Sequence, residues 1–100
     1  MGEISSDTAY EDDRVRIFKD IHPKAPVHLL VIPKIHIESV AHLTDDHNDI
    51  IAKLVFAAKH IAEQLGLKGY KLVFNVGREG GQMIDHLHLH ILGGWPRGEN

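Results

Sequence analysis

The residues whose types and spacing can do chemistry stand near the end of the chain, in His86-Leu87-His88-Leu89-His90-Ile91-Leu92. Imidazole titrates near neutral pH and serves as nucleophile, general acid, general base or metal ligand. Alternation with aliphatic residues has the period of a β-strand, which predicts that His86, His88 and His90 project from one face while Leu87, Leu89 and Ile91 enter a core. At about 3.3 Å per residue the outer two rings would stand about 13 Å apart, with His88 midway. His-x-His can present two imidazoles to zinc, but that span is too long for all three to grip one ion, so a metal would need an outside ligand.

Other segments could complete a site around these rings. Gly77-Arg78-Glu79-Gly80-Gly81-Gln82 is rich in backbone N–H groups and leads straight into the histidine strand, which favours phosphate binding over a plain turn. Asn75 closes the preceding strand and points towards this loop. His28 sits inside an apolar run, where it is either a core histidine bonded to backbone or part of a site. Asp20 ends a strand ahead of Pro23, and spacing alone makes it a turn cap.

The elements that must position these residues follow from the patterning. A short strand is expected over Ala9–Glu11 and another from Val15 to Phe18, with a turn at Glu11-Asp12-Asp13 between them. Val27-His28-Leu29-Leu30-Val31-Ile32, closed by Pro33, is nearly continuous in apolar residues and reads as a central strand. From Thr44 to Gly66 apolar residues recur every three or four positions, with Thr44 as cap, Asp45 and Asp46 in the first turn and Gly66 as the stop. Some 21 residues would make this helix about 31 Å long, enough to cover a sheet, and nothing on it suggests chemistry. Tyr70–Phe74 is a further strand. Strands, one long helix, then strands give an α+β fold, with an antiparallel sheet of about five strands and the helix across one face. The whole chain, 1–100, reads as one domain, with residues 1–8 a polar lead-in and 95–100 a short tail.

One hundred residues with 43% hydrophobic and 25% charged content suit a single globular domain with one modest core. A net charge of −3 gives no basic footprint for a nucleic-acid polymer, while leaving room for a mononucleotide. The absence of cysteine rules out disulfide and thiolate chemistry. No apolar run approaches a membrane helix, no secretory signal opens the chain, and the loose myristoylation match at Gly2 lacks a second basic signal. A cytoplasmic location is the expectation.

The histidine stretch also resembles the histidine-triad family of nucleotidyl hydrolases and transferases. Leu92-Gly93-Gly94 resembles its nucleoside phosphoramidase branch. Asp20-Ile21, Pro23, Ala25-Pro26, His28, Val31-Ile32-Pro33-Lys34, Asn75 and Gly80-Gly81-Gln82 agree in order, so the likeness runs from about Glu3 to Gly94. It implies the same fold and a homodimer, with no metal and no cofactor. It implies a substrate class of nucleoside 5′-phosphoramidates or related mixed anhydrides of a purine nucleotide, cleaved through a nucleotidyl-histidine intermediate.

By that resemblance His88 is the nucleophile, His86 orients it through its backbone carbonyl, and His90 and His28 contact the phosphate. Asp20 accepts both ribose hydroxyls, Ile21 and Gly81 border the nucleotide, and Asn75 and Gln82 contact phosphate or leaving group. His36 matches a further family histidine, whereas His22, His42, His47 and His60 read as surface residues. Two departures stand out. Gly2-Glu3-Ile4-Ser5 lies where the family's first strand and short helix end, so part of the base pocket is expected to be missing. Met83 replaces a serine common in the branch and can neither give a proton nor accept a strong hydrogen bond. A purine nucleotide-binding module with little catalysis is the alternative reading, and a zinc-binding protein the outsider.

Overall fold

The computed structural model describes residues 8–96, so the expectations for residues 1–7 and 97–100 lie outside it. Five strands form one antiparallel sheet in the order β1-β2-β3-β5-β4, with β1 at Thr8–Glu11, β2 at Val15–Lys19, β3 at Val27–Pro33, β4 at Tyr70–Val73 and β5 at Leu89–Gly93. The last strand thus slots between β3 and β4, flanked on both sides. Asp12 turns the chain from β1 to β2: its carboxylate accepts the Arg14 and Val15 N–H groups at 2.8 and 2.9 Å and the Tyr10 hydroxyl at 2.7 Å.

The helix α1 spans Asn48–Gln64 and is shorter than its sequence pattern predicts, because Asp45–His47 wind as a 3₁₀ turn before it. There the Thr44 N–H donates to His47 Nδ1 at 3.0 Å. At the far end Gly66, at φ 73°, closes a Schellman motif: its N–H reaches the Glu63 carbonyl, and the Leu67 N–H reaches that of Ala62, both at 3.0 Å. Ile50, Leu54, Ala57, Ala58 and Ile61 from the helix meet Val15, Ile17, Leu29, Val31, Leu87, Leu89 and Ile91 from the sheet side in one buried core. The opposite face carries a smaller cluster, Phe18, Leu30 and Ile32. The two faces are therefore specialised, one for packing and one for the site.

The histidine strand departs from its expected form. The β3–β5 ladder pairs Val27 with Gly93 through to Val31 with Leu89, and it ends there. Pro33 has no N–H to extend the ladder, and beyond it the chain turns away. The Leu87 N–H is taken instead by the Ile37 carbonyl at 2.7 Å. His86 to His88 form an irregular lead-in to β5, and Leu87, Leu89 and Ile91 still enter the core.

Leu54 is fully buried at the helix–sheet contact. Leu54→Ala should lower unfolding free energy by about 2–5 kcal/mol, the usual cost of a large cavity in a packed core. Urea unfolding followed by circular dichroism would measure it, and a loss under about 1 kcal/mol would mean the core collapses around the change.

Candidate active site

On the face away from the helix, residues alternate outwards along three neighbouring strands. His90 and Leu92 on β5 pair with Leu30 and His28 on β3, and with Val73 and Lys71 on β4. Together with the turn after β2 and the loop before β5 they enclose a cavity of about 580 Å³. Asp20, Ile21, His28, Asn75, Gly81, Met83, His88 and His90 all line it, so the fold collects residues spread over seventy positions of sequence.

Two backbone groups fix the protonation pattern of the rings. The Lys24 N–H donates to His28 Nδ1 at 3.0 Å, so neutral His28 must carry its proton on Nε2. That Nε2 lies 2.9 Å from His90 Nδ1 and 3.4 Å from Asp20 Oδ2. His90 Nδ1 therefore accepts, and His90 carries its own proton on Nε2; two donors cannot bond, so the Asn75 amide, whose Nδ2 stands 3.4 Å away, must turn to present Oδ1 to that proton. Separately, the His86 carbonyl lies 2.7 Å from His88 Nδ1, which must donate to it. His88 Nε2 is left with a free lone pair on a ring that lines the cavity. One ring is thus a base or nucleophile, and its neighbour, with centroids 4.9 Å apart, is a donor.

Burial disfavours charge on this donor. His90 is pushed down to about 4, by burial first and then by the proximity of His88 and His28. His28 is also lowered, mainly by burial, against the opposing pull of Asp20. Asp20, His28 and His90 bring three possible ligand atoms within 4.8 Å of one another. A zinc ion would need a lone pair on His28 Nε2, yet Nδ1 already accepts from Lys24, and a neutral imidazole has only one. The cluster suits hydrogen bonding better than metal.

Some residues sit differently from their expected places. His86 does not share the outward face with His88 and His90, because the chain leaves the ladder before it. Its Nε2–H donates to the Pro33 carbonyl at 3.0 Å, and its Nδ1 accepts from His36 Nδ1 at 3.2 Å, so it reaches the site through its carbonyl alone. Gln82 is buried behind the wall rather than on it. Its Oε1 accepts the Gly77 N–H at 2.9 Å, and its Nε2 donates to the Glu38 and Ile84 carbonyls at 2.7 and 2.8 Å. That amide anchors the loop and has no group left for a ligand.

The loop itself is closed, not an open phosphate cradle. The N–H groups of Gly77, Gly80, Gly81 and Gln82 are all satisfied within it, and Arg78 ties it to the Gln82 carbonyl at 2.8 Å and to Asp85 at 3.1 Å. Asp20 does cap its turn, accepting the His22 N–H on Oδ1 at 2.8 Å, while Oδ2 stays on the histidine side. Met83 is 80% exposed at the rim. Sequence reasoning passed over Lys24, Lys71 and Trp95 and read His22 as a surface residue, yet all four also line the cavity. Lys71 and Trp95 had no local signal, since only the β4–β5 register brings Lys71 beside Leu92.

With this arrangement in view, the comparisons are decisive: the sequence matches the HIT domain over residues 1–96. The chain belongs to the HIT family. It is 45% identical to the purine nucleoside phosphoramidase of Escherichia coli K12 over 98 residues, 96% of this chain and 82% of that one. Protein HitA of Neisseria gonorrhoeae is 46% identical, over 91% and 86% of the two chains. Among solved structures, a HIT family hydrolase from Legionella pneumophila superposes with a TM-score of 0.90 at 45% identity, covering 95% of this chain and 87% of that one. A histidine triad protein from Clostridium difficile gives 0.89 at 40% identity, covering 99% and 88%.

The low value for His90 has a direct consequence for pH dependence. Its folded value lies below the ordinary one of 6.5, so the unfolded chain binds more protons between about 6.5 and about 4. Stability should therefore fall as pH drops through that window, and His90→Asn should flatten the fall. Nitrogen-detected NMR on labelled protein should find His90 neutral at pH 5 with its proton on Nε2. A protonated His90 ring at pH 5 would overturn the assignment.

Proposed function

We propose that this HIT-family protein is a hydrolase of nucleoside 5′-phosphoramidates, acting through a nucleotidyl group carried on His88. The observation that supports it best is the 2.7 Å hydrogen bond from His88 Nδ1 to the His86 carbonyl, which frees Nε2 as a nucleophile facing the cavity. The relative named purine nucleoside phosphoramidase points to the same chemistry.

In the first step the His88 Nε2 lone pair attacks phosphorus while the P–N bond breaks, and the departing nitrogen takes a proton from solvent and leaves as the amine. The imidazole becomes a cationic phosphoryl-imidazolium, whose Nδ1–H keeps its bond to the His86 carbonyl. In the second step water attacks phosphorus, the Nε2–P bond breaks, and the water's proton passes to solvent. Water and the phosphoramidate thus give a nucleoside monophosphate and an amine. The His90 Nε2–H donates to a phosphoryl oxygen without needing a proton from solution, and Lys24 supplies positive charge from the cavity wall. Asp20 Oδ2 accepts from the ribose hydroxyls, with Ile21 against the base side.

A homodimer fits the apolar groups left outside the core: Val55 on the helix, Leu65 just past its end and Leu72 on the edge strand β4 are 40%, 51% and 40% exposed. Sedimentation analysis would test that. No helix among the described residues is long and apolar enough to cross a membrane, and we place the protein in the cytoplasm. A slower, mainly nucleotide-binding role is the second reading, favoured by the thioether of Met83 at the rim where a hydroxyl would serve.

Three variants test the proposal. His88→Ala should abolish turnover of a fluorogenic adenosine phosphoramidate while AMP still binds; retention of more than a few per cent of the rate would remove His88 from the covalent step. Asp20→Ala should erase the preference for AMP over 2′-deoxy-AMP, because a charged acceptor no longer loses a partner with the missing hydroxyl. Met83→Ser should raise turnover of alkylamine substrates by about tenfold, a modest share of the usual gain from positioned proton transfer, and barely change substrates with an acidic phenol. An equal change in both substrate classes would assign Met83 a packing role.

A further inference from the structure

The His36 ring is exposed, but it is not loose. Its Nδ1 lies 3.2 Å from His86 Nδ1, with ring centroids 5.1 Å apart. The direction of that bond is fixed from the far side of the His86 ring. The Pro33 carbonyl, 3.0 Å from His86 Nε2, can only accept, so neutral His86 carries its proton there and offers a lone pair at Nδ1. His36 must therefore donate from its own Nδ1. The charged side chains beside the pair in sequence are engaged elsewhere: Lys34 with Glu11, Glu38 with His42 and Asp85 with Arg78. An exposed histidine usually does no more than meet solvent, as His60 does beside Glu63. Here the ring is part of a clasp.

Residues 36–38 grip the chain ahead of β5 at three successive points. The His36 ring takes that of His86, the Ile37 carbonyl takes the Leu87 N–H at 2.7 Å, and the Glu38 carbonyl takes the Gln82 amide at 2.7 Å. The middle contact lies nearest the chemistry. The Leu87 N–H and the His86 carbonyl belong to one planar peptide unit, which carries them on opposite sides. That unit therefore sits between two 2.7 Å bonds, one given to Ile37 and one received from His88 Nδ1. Its tilt decides where the carbonyl points, and residue 86 is the joint on which it would turn. With the His86 ring tied at both nitrogens, that joint is held.

We infer that His36 is a positioning residue for the nucleophile: its Nδ1–H holds the His86 ring, and through it the peptide unit that keeps the proton of His88 on Nδ1. His36 is two bonded steps from the reacting ring and does not line the cavity, so its loss should slow the chemical step and spare binding. The effect on rate rests on the nucleotide reading above, whereas the effect on the His88 hydrogen bond does not. One neutral hydrogen bond of ordinary weight corresponds to about fivefold in rate or population.

Substitutions at position 36 test this, with EDTA present so that no metal on the paired rings carries the effect. Asn places an amide N–H where the imidazole Nδ1–H stands, Gln places it one bond further out, and Leu has none. His36→Leu and His36→Gln should lower the single-turnover rate on an adenosine phosphoramidate by about fivefold, with AMP affinity unchanged, and His36→Asn should restore the rate. Proton NMR at about pH 8 follows the His88 Nδ1–H itself, whose exchange with water requires its bond to the His86 carbonyl to open. It should exchange about fivefold faster in His36→Leu and at the wild-type rate in His36→Asn. His60→Leu is the control and should change neither readout. Equal exchange in wild type and His36→Leu, or a loss in His36→Asn as large as in His36→Leu, would overturn the role. So would a rate loss matched by weaker AMP binding, the mark of a generally loosened cavity. If the wild type neither turns over the substrate nor binds AMP, the nucleotide reading falls, and the exchange comparison alone decides the role of His36.

Discussion

The site depends on one constraint: backbone groups, not other side chains, decide which nitrogen of each key ring carries a proton. The His86 carbonyl claims His88 Nδ1 at 2.7 Å, and the Lys24 N–H claims His28 Nδ1 from the other direction at 3.0 Å. A carbonyl can only accept and an amide N–H can only donate, so the two rings are forced into opposite tautomers. The His28 tautomer then dictates that of His90 through their 2.9 Å contact. Backbone that is itself pinned can hold such a pattern through a catalytic cycle, whereas freely rotating side chains would let the tautomers exchange.

The pinning traces to a single proline. Because Pro33 ends the β3 ladder, the chain before β5 is free of the sheet and bonds instead to the segment after Pro33. Leu87 N–H goes to the Ile37 carbonyl, the Gln82 amide to the Glu38 carbonyl, and His86 Nε2–H to the carbonyl of Pro33 itself. These contacts aim the His86 carbonyl at His88. A strand continued in register would have turned the His86 ring outwards and spent its carbonyl elsewhere. His36, bonded to His86, belongs to the same scaffold.

Much of this was legible in the sequence wherever the signal was local. Alternation marked β5 and its core residues, the three- and four-residue rhythm marked α1, and Gly66 marked its end. The strand count followed. What failed were inferences that extended a local pattern past a tertiary event. Strict alternation put His86 on the face of His88 and His90, but alternation cannot register that Pro33, fifty residues away, cuts the ladder short. The glycine loop looked like a phosphate site because its composition offers donors, and Gln82 came in by resemblance; neither registers that the loop N–H groups close on the loop itself and the Gln82 amide on the Glu38 and Ile84 carbonyls. Lys71 and Trp95 carry no pattern of their own, and they become visible only once β4 is known to pair with β5.

The electrostatics explain why the donor ring stays neutral. Under the proposed mechanism a protonated His90 would hold a phosphate more strongly, but it would also place a positive charge 4.9 Å, ring to ring, from His88, which becomes cationic during attack. Burial keeps His90 neutral and removes that penalty, so the ring donates a hydrogen bond at full strength while adding no repulsion to the transition state. In the same proposal positive charge comes instead from Lys24, outside the ring cluster and next to solvent. Charge stabilisation and nucleophile activation are thereby assigned to different groups, and the pairing of a buried neutral donor with an exposed cation lets both operate at neutral pH.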